Sequence, residues 1–246
     1  MLTVRQGMLT GLVTQVVVLA ALAGTVGMSV AGGLAGLAYG AVAVGLLSRA
    51  LVRSGAVVVG PADLVTLMRA VLVGGFAALV VSSFAGPVPV GTLTTLAVVA
   101  LALDAVDGRV ARTTGTVSAV GARFDMEVDS ILVLLLGVYV ARSLGLWVLA
   151  IGSTHYVFVV ARRALPWLRR QVPPRYWCKV VAAVQGIVLT TVATGVLPRV
   201  VAALALVVVA ALLAESFGRE VWWLWRSHCA GSERDVEPRT IGSLHG

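Results

Sequence analysis

Charged residues are scarce in this chain of 246 residues, and their scarcity excludes most classes of soluble protein. Asp, Glu, Lys and Arg make up 12% of the sequence, whereas apolar residues make up 59%. An average globular domain carries about 25% charged residues. So few polar side chains cannot cover the surface of a water-soluble globule, and the same composition excludes a disordered chain and a coiled coil. We therefore expect a membrane protein with several spans.

Cysteine and lysine are also nearly missing. Cys178 and Cys229 are the two cysteines and show no metal-type spacing, so neither a disulfide framework nor a zinc site is expected. Lys179 is the single lysine, so the net charge of +8 rests on arginine. Most basic residues lie between long apolar runs, where they set topology and contact anionic headgroups. Membrane lipids, and not nucleic acid, are therefore the expected partners of this charge.

Eight apolar runs approach the length of about 20 residues that a helix needs to cross a bilayer. The runs cover residues 10–28, 31–48, 70–85, 90–106, 127–141, 144–161, 180–197 and 199–217. Each must be a helix, because backbone groups cannot remain unpaired in lipid. With the N-terminus in the cytosol, 17 of the 19 basic residues are cytosolic and only Arg142 and Arg199 lie outside. The positive-inside rule thus predicts eight crossings with both termini cytosolic. The alternative for the first run is a cleaved signal peptide with Arg5 in its n-region.

Acidic residues cluster on both sides of the connection expected at residues 107–125. Asp104 and Asp107 are three residues apart and Asp125 and Asp129 are four apart, so each pair shares a helix face. An antiparallel pair of helices would direct the four carboxylates to one point. Such a group needs a compensating cation, and hard oxygen ligands favour Mg²⁺ or Mn²⁺. The alternative is a set of ordinary charges next to the membrane.

These residues form a signature with fixed spacing. The segment reads Asp104-Ala-Val-Asp107-Gly108-Arg109-Val110-Ala111-Arg112 and, after eight residues, Gly121-x-x-x-Asp125-x-x-x-Asp129. It matches D-x-x-D-G-x-x-A-R-x8-G-x-x-x-D-x-x-x-D at every fixed position. The chain thereby resembles the CDP-alcohol phosphotransferase family, integral membrane enzymes of phospholipid synthesis.

The resemblance implies an all-α membrane fold, with a six-helix core and two extra N-terminal transmembrane helices. We expect the N-terminal addition at residues 1–53 and a cytosolic linker with a juxtamembrane helix start at 54–69. The six-helix catalytic core would follow at 70–217, and a cytosolic tail at 218–246. The active site would lie on the cytosolic side of the cell membrane, and the family allows for a homodimer.

The resemblance also implies a role for each residue of the signature. Asp104, Asp107 and Asp125 would hold two Mg²⁺ or Mn²⁺ ions, and Asp129 would contribute a ligand and act as the general base. The segment Asp63-Leu-Val-Thr66-Leu-Met-Arg69 resembles the family's N-x-x-T-x-x-R helix start, with Asp63 where Asn is usual. Asp63 would either take part in donor binding or cap the helix. The residues that would bind the nucleotide and its diphosphate are Gly108, Ala111, Arg112, Gly121, Asp63, Thr66 and Arg69.

The implied reaction transfers the phospho-alcohol group of a CDP-alcohol, such as the phosphatidyl group of CDP-diacylglycerol, to the hydroxyl of a small polar acceptor, with release of CMP. Glycerol phosphate, inositol phosphate, inositol and serine remain open as acceptors. A phosphorylated acceptor would need basic side chains to bind its phosphate. If the acceptor is neutral, these basic residues would instead anchor the protein at lipid headgroups. The candidates are Lys179, Arg162, Arg163 and Arg175. His155 could line the cavity, but we expect a packed, hydrogen-bonded histidine.

Two other classes of membrane protein place carboxylates in helices. Mg²⁺-dependent intramembrane prenyltransferases have two separated Asp-rich segments and lack the D-G-x-x-A-R run. An ion carrier or channel would place acidic residues near the bilayer midplane of several helices. Here the four Asp lie at one boundary, which favours the transferase.

Overall fold

The described part of the chain is almost entirely helical. A computed structural model describes residues 2–53, 55, 58–114, 119–165 and 176–234. Within these ranges the chain forms eight helices, one for each apolar run, which confirms the expected all-α fold. The helices are α1 (Val4–Val26), α2 (Val30–Arg53), α3 (Pro61–Ser82), α4 (Val90–Thr114), α5 (Ala119–Leu144), α6 (Val148–Ala164), α7 (Tyr176–Ala193) and α8 (Arg199–Arg234). Two short strands, β1 (Leu2–Thr3) and β2 (Val58–Val59), pair antiparallel and join the N-terminus to the segment before α3.

Local sequence explains where two of the helices begin. The Thr3 hydroxyl accepts a hydrogen bond from the Gln6 N–H, and the Gln6 side chain accepts one from the Thr3 N–H, so the pair forms a capping box for α1. Helix α3 begins at Pro61, a residue whose missing N–H costs nothing at the first helical position. Asp63 Oδ2 accepts a hydrogen bond from the Gly60 N–H at 3.2 Å. Asp63 therefore caps α3, one of the two alternatives proposed for it.

Most helices extend beyond the apolar runs that predicted them, and α4, α5 and α8 do so by at least eight residues at a polar end. Helix α4 continues to Thr114 and α5 begins at Ala119, so most of the connection expected at residues 107–125 is helical. Helix α8 continues to Arg234, past the end expected at residue 217. An apolar run marks only the part of a helix that faces lipid or core. The i to i−4 hydrogen bonds continue through polar residues without regard to that boundary.

Helix α3 lies at the centre of the N-terminal half of the fold. Of its most apolar stretch 72% is buried, compared with 22% for α1, 33% for α2 and 28% for α8. It contacts α1, α2, α4 and α5. A second part of the core lies among α5 to α8, where Leu132, Leu136, Leu189 and Leu206 are fully buried. Of α1, α2, α3 and α8, helix α3 therefore has the largest share of residues enclosed by protein.

Several helices are suited to cross a membrane. Among the described residues, α1, α2, Asp63–Ser82 of α3 and Arg199–Trp223 of α8 are long and apolar enough to span a bilayer. Helices α4, α6 and α7 contain shorter apolar stretches. Large apolar side chains on the outer helices, such as Val13, Val17 and Leu204, are exposed, as lipid contact requires. The number of crossings and their orientation stay predictions.

Candidate functional site

Three aspartates from two helices meet at one point. Asp104 lies in the second half of α4, and Asp125 and Asp129 lie one turn apart in α5. One carboxylate oxygen from each of the three lies within 4.8 Å of the other two. The side chains are half-buried, with exposed fractions of 42, 29 and 36%. The predicted convergence is thus found for three of the four aspartates, and the side chain of Asp107 lies outside the described residues.

A buried arginine from α3 lies among these carboxylates. The guanidinium of Arg69 forms an ion pair with Asp104 at 3.1 Å and donates hydrogen bonds to Asp125 and Asp129. Its Nε donates to the Ala100 carbonyl at 3.1 Å, and the side chain is fully buried. The arginine thus compensates part of the negative charge and ties α3 to α4 and α5.

The contact between Arg69 and the carboxylates was not predicted. The motif of α3 indicated only that Arg69 binds the donor. A signal was nevertheless present, because an arginine in an apolar helix needs an acidic partner, and the Asp cluster is the largest acidic group in the chain. Thr66, one turn earlier in α3, is also buried, as is the capping residue Asp63. The three residues follow one another at three-residue spacing along α3, and Arg69 is the one shown to contact the cluster.

The three carboxylates are suited to hold a divalent cation. Carboxylate oxygens are the ligands that Mg²⁺ and Mn²⁺ prefer, and the closeness of the three oxygens would allow one ion to contact them all. Their partial exposure leaves a side open to a second ligand such as a phosphate. The donor set therefore fits the metal that the signature implies.

A cavity of about 250 Å³ lies among α4 to α8, and Asp129 is one of its lining residues. Most of its wall is apolar, with Leu101, Val133 and Phe217 among the lining residues. Hydroxyl and amide groups also line it, and they come from four residues of α5 to α8. These residues are Ser130, Thr154, Gln185 and Ser216. A ligand in this cavity would therefore lie beside Asp129.

His155 lines this cavity, which is the alternative that the sequence left open for it. Its Nε2 is buried and has no hydrogen-bond partner among the described residues, although Glu127 Oε1 lies 3.9 Å away. Gln185, by contrast, donates to the Ile151 carbonyl at 2.7 Å. Helix α6 is apolar on most sides, and in such a helix periodicity does not identify the face that borders a cavity.

The other predicted site residues are only partly described. Gly121 lies near the start of α5 and is half-buried, and Arg163 lies exposed near the end of α6. The remaining residues proposed for nucleotide or acceptor binding lie outside the part of the chain whose side chains are described. They are Gly108, Ala111, Arg112, Arg162, Arg175 and Lys179. Their roles stay predictions.

Comparison with known proteins identifies a family. A family model described as CDP-alcohol phosphatidyltransferase matches residues 60–215, which is more than half of the chain. The match begins at the residue before α3 and ends within α8, so it includes Arg69, the three aspartates and all the cavity-lining residues except Ser216 and Phe217. Helices α1 and α2 precede it. Neither a curated protein nor a solved structure matches the chain.

Proposed function

Because the chain belongs to the CDP-alcohol phosphatidyltransferase family, we propose that it transfers a phosphatidyl group from CDP-diacylglycerol to the hydroxyl of a small polar acceptor and releases CMP. The family consists of integral membrane transferases of substituted phosphate groups that act in phospholipid synthesis. The observation that carries the proposal is the meeting of Asp104, Asp125 and Asp129 within the matched residues, with Asp129 also lining a cavity.

The carboxylates would bind the diphosphate end of the donor through a divalent cation. Asp104, Asp107, Asp125 and Asp129 would hold Mg²⁺ or Mn²⁺, which supplies positive charge to the diphosphate and to the departing CMP when it is bound. Phosphoryl transfer depends mainly on such neutralisation and on positioning. Arg69 would position the carboxylates with which it forms ion pairs.

The nucleotide would lie against the start of the signature. The small residues Gly108, Ala111 and Gly121 would allow the nucleotide to approach the helices closely, because larger side chains would obstruct it. Arg112 would contact the diphosphate with its planar guanidinium. Asp63 and Thr66 would support this region from α3.

Asp129 is the proposed general base, since it alone of the three described aspartates lines the cavity in which an acceptor can bind. The acceptor oxygen would attack the β-phosphorus of the donor and form the new P–O bond, while the bond to CMP breaks. Asp129 would take the proton of the acceptor hydroxyl. General-base help of this kind contributes about 10²–10⁴-fold to a rate.

The acceptor would enter from the cytosolic side of the cell membrane, where 17 of the 19 basic residues are predicted to lie. If the acceptor carries a phosphate, cations near the entrance would hold it, and Lys179, Arg162, Arg163 and Arg175 are the candidates. A homodimer, which the family allows, would be tested by light scattering of the purified protein.

The decisive experiment measures CMP release and identifies the lipid product. Purified protein in detergent would receive CDP-diacylglycerol, Mn²⁺ or Mg²⁺, and in turn glycerol phosphate, inositol phosphate, inositol and serine. We expect transfer to one acceptor and loss of transfer in Asp125→Asn. Glu127→Gln is the matched control, because Glu127 lies between the two site aspartates of α5 but is 54% exposed. Equal activity in the two variants would remove the carboxylate cluster from the mechanism.

A further inference from the structure

The N-terminal hairpin, defined as α1 and α2, is closely packed against α3 although it precedes the matched residues. A Cβ on Gly36 of α2 would lie 2.9 Å from the Gly74 carbonyl oxygen, and one on Gly32 would overlap the Ala78 carbonyl. The N–H and hydroxyl of Ser29 each lie 3.1 Å from Ser82 Oγ, within hydrogen-bond distance. The backbones therefore meet at a distance that only glycine permits.

Tyr39 of α2 lies one turn after Gly36 and packs against the buried core. Its hydroxyl oxygen is buried and has no hydrogen-bond partner among the described residues. Helix α2 contacts both α3 and α5, the helices that carry Arg69 and Asp129, and the charges of these two residues act on the hydroxyl. A residue from outside the matched part of the chain thus lies within electrostatic range of the carboxylate cluster.

The carboxylate of Asp129 offers a matching acceptor. Its Oδ1 accepts a hydrogen bond from Arg69 Nη2, while its Oδ2 has no hydrogen-bond partner among the described residues. A buried hydroxyl without a partner is costly and rare in folded proteins. Carboxylates that bind metals are commonly fixed by a hydrogen bond from a neighbouring side chain. An unpaired donor and a partly unpaired acceptor at the same site point to a hydrogen bond that forms in the working enzyme.

We propose that Tyr39 is a positioning residue of the active site, and that its hydroxyl donates a hydrogen bond to the Asp129 carboxylate. The N-terminal hairpin is then part of the catalytic unit. The role of Tyr39 rests on the proposed function, because it acts through the carboxylate that binds the cation and takes the acceptor proton.

The test compares Tyr39→Phe with Tyr139→Phe in the full chain. Both substitutions remove one hydroxyl and keep the ring, and both tyrosines are half-buried against the core. The first readout is the affinity for Mn²⁺ alone, measured by calorimetric titration without donor. We expect Tyr39→Phe to weaken Mn²⁺ binding by about 10–100-fold and to lower kcat, while Tyr139→Phe matches the wild type. Equal Mn²⁺ affinity and equal kcat in the two variants would overturn the proposal.

A second pair of variants tests whether the packing of the hairpin is coupled to the site. Gly32→Ala introduces the overlap with α3, whereas Gly45→Ala on the same helix meets nothing within 4 Å. We expect weaker Mn²⁺ binding in Gly32→Ala only, and equal binding in both variants would refute the coupling.

The Mn²⁺ titration also separates the two proposals. If the wild type transfers no phosphatidyl group to any acceptor but Tyr39→Phe still weakens Mn²⁺ binding, the proposed reaction fails and the role of Tyr39 stands. If the wild type is active and Tyr39→Phe behaves as Tyr139→Phe does, the role of Tyr39 fails alone.

Discussion

Replacement of Arg69 by glutamine should destabilise the protein more than any other single change of charge at the site. The side chain is fully buried and its guanidinium contacts three carboxylates. Removal of one partner of a buried ion pair costs about 3–5 kcal/mol, because the other charge is left without compensation. The carboxylates are 42, 29 and 36% exposed, so water solvates them in part, and we expect a loss at the lower end of that range.

A loss of about 3 kcal/mol corresponds to a fall in Tm of about 6–12 °C for a chain of this size. The assay is thermal unfolding of purified protein in detergent, with Arg142→Gln as the matched control. Arg142 lies near the end of α5 and its guanidinium stacks over Phe84, away from the carboxylates. Excess Mn²⁺ should raise the Tm of Arg69→Gln more than that of the wild type, since the ion replaces the missing positive charge. If Arg69→Gln unfolds within about 2 °C of the control, the compensating role of Arg69 is refuted.

Three further predictions concern the base, the acceptor and the topology. Asp129→Asn should lower kcat by about 10²–10⁴-fold with donor binding little changed, and an equal collapse of donor affinity would identify Asp129 mainly as a ligand. Lys179→Ala should raise the KM for a phosphorylated acceptor by roughly 10–100-fold, as loss of a charge-assisted contact of about 1.5–3 kcal/mol predicts, and an unchanged KM would assign Lys179 to membrane anchoring. In a variant without Cys178 and Cys229, a cysteine at Leu144 should react with an impermeant maleimide only from outside the cell, and labelling from the cytosolic side would contradict the eight-crossing topology.

The part of the site that the sequence predicted is the part governed by short-range spacing. Asp125 and Asp129 are one turn apart on one helix, so their shared face follows from helical geometry. Arg69 lies 56 and 60 residues before its partners in α5, and no spacing rule connects a residue of α3 to that helix. The proposed role of Tyr39 could not be predicted from the sequence for the same reason, since its position depends on how α2 packs against α3.

Fold class was predictable and the helix ends were not. Composition alone indicated a membrane protein, because burial of so many apolar side chains needs lipid. The continuation of α4 to Thr114 and of α8 to Arg234 depends on backbone hydrogen bonds and local packing, which an apolar run does not report. The signature, with its fixed spacing, identified the family more directly than any property of the helices.

Arg69 and its partners in α5 are translated at different times. An arginine at the centre of an inserting helix costs about 2.5–3.5 kcal/mol, and Arg69, which lies in the first half of α3 towards the predicted cytosolic side, costs less than that. Helix α3 is synthesised before α5, so 60 further residues are translated after Arg69 before its partner Asp129 is complete. During that interval α1 and α2 are already present, and both contact α3 in the folded protein. The N-terminal hairpin can therefore cover part of α3 before the carboxylates of α4 and α5 are translated.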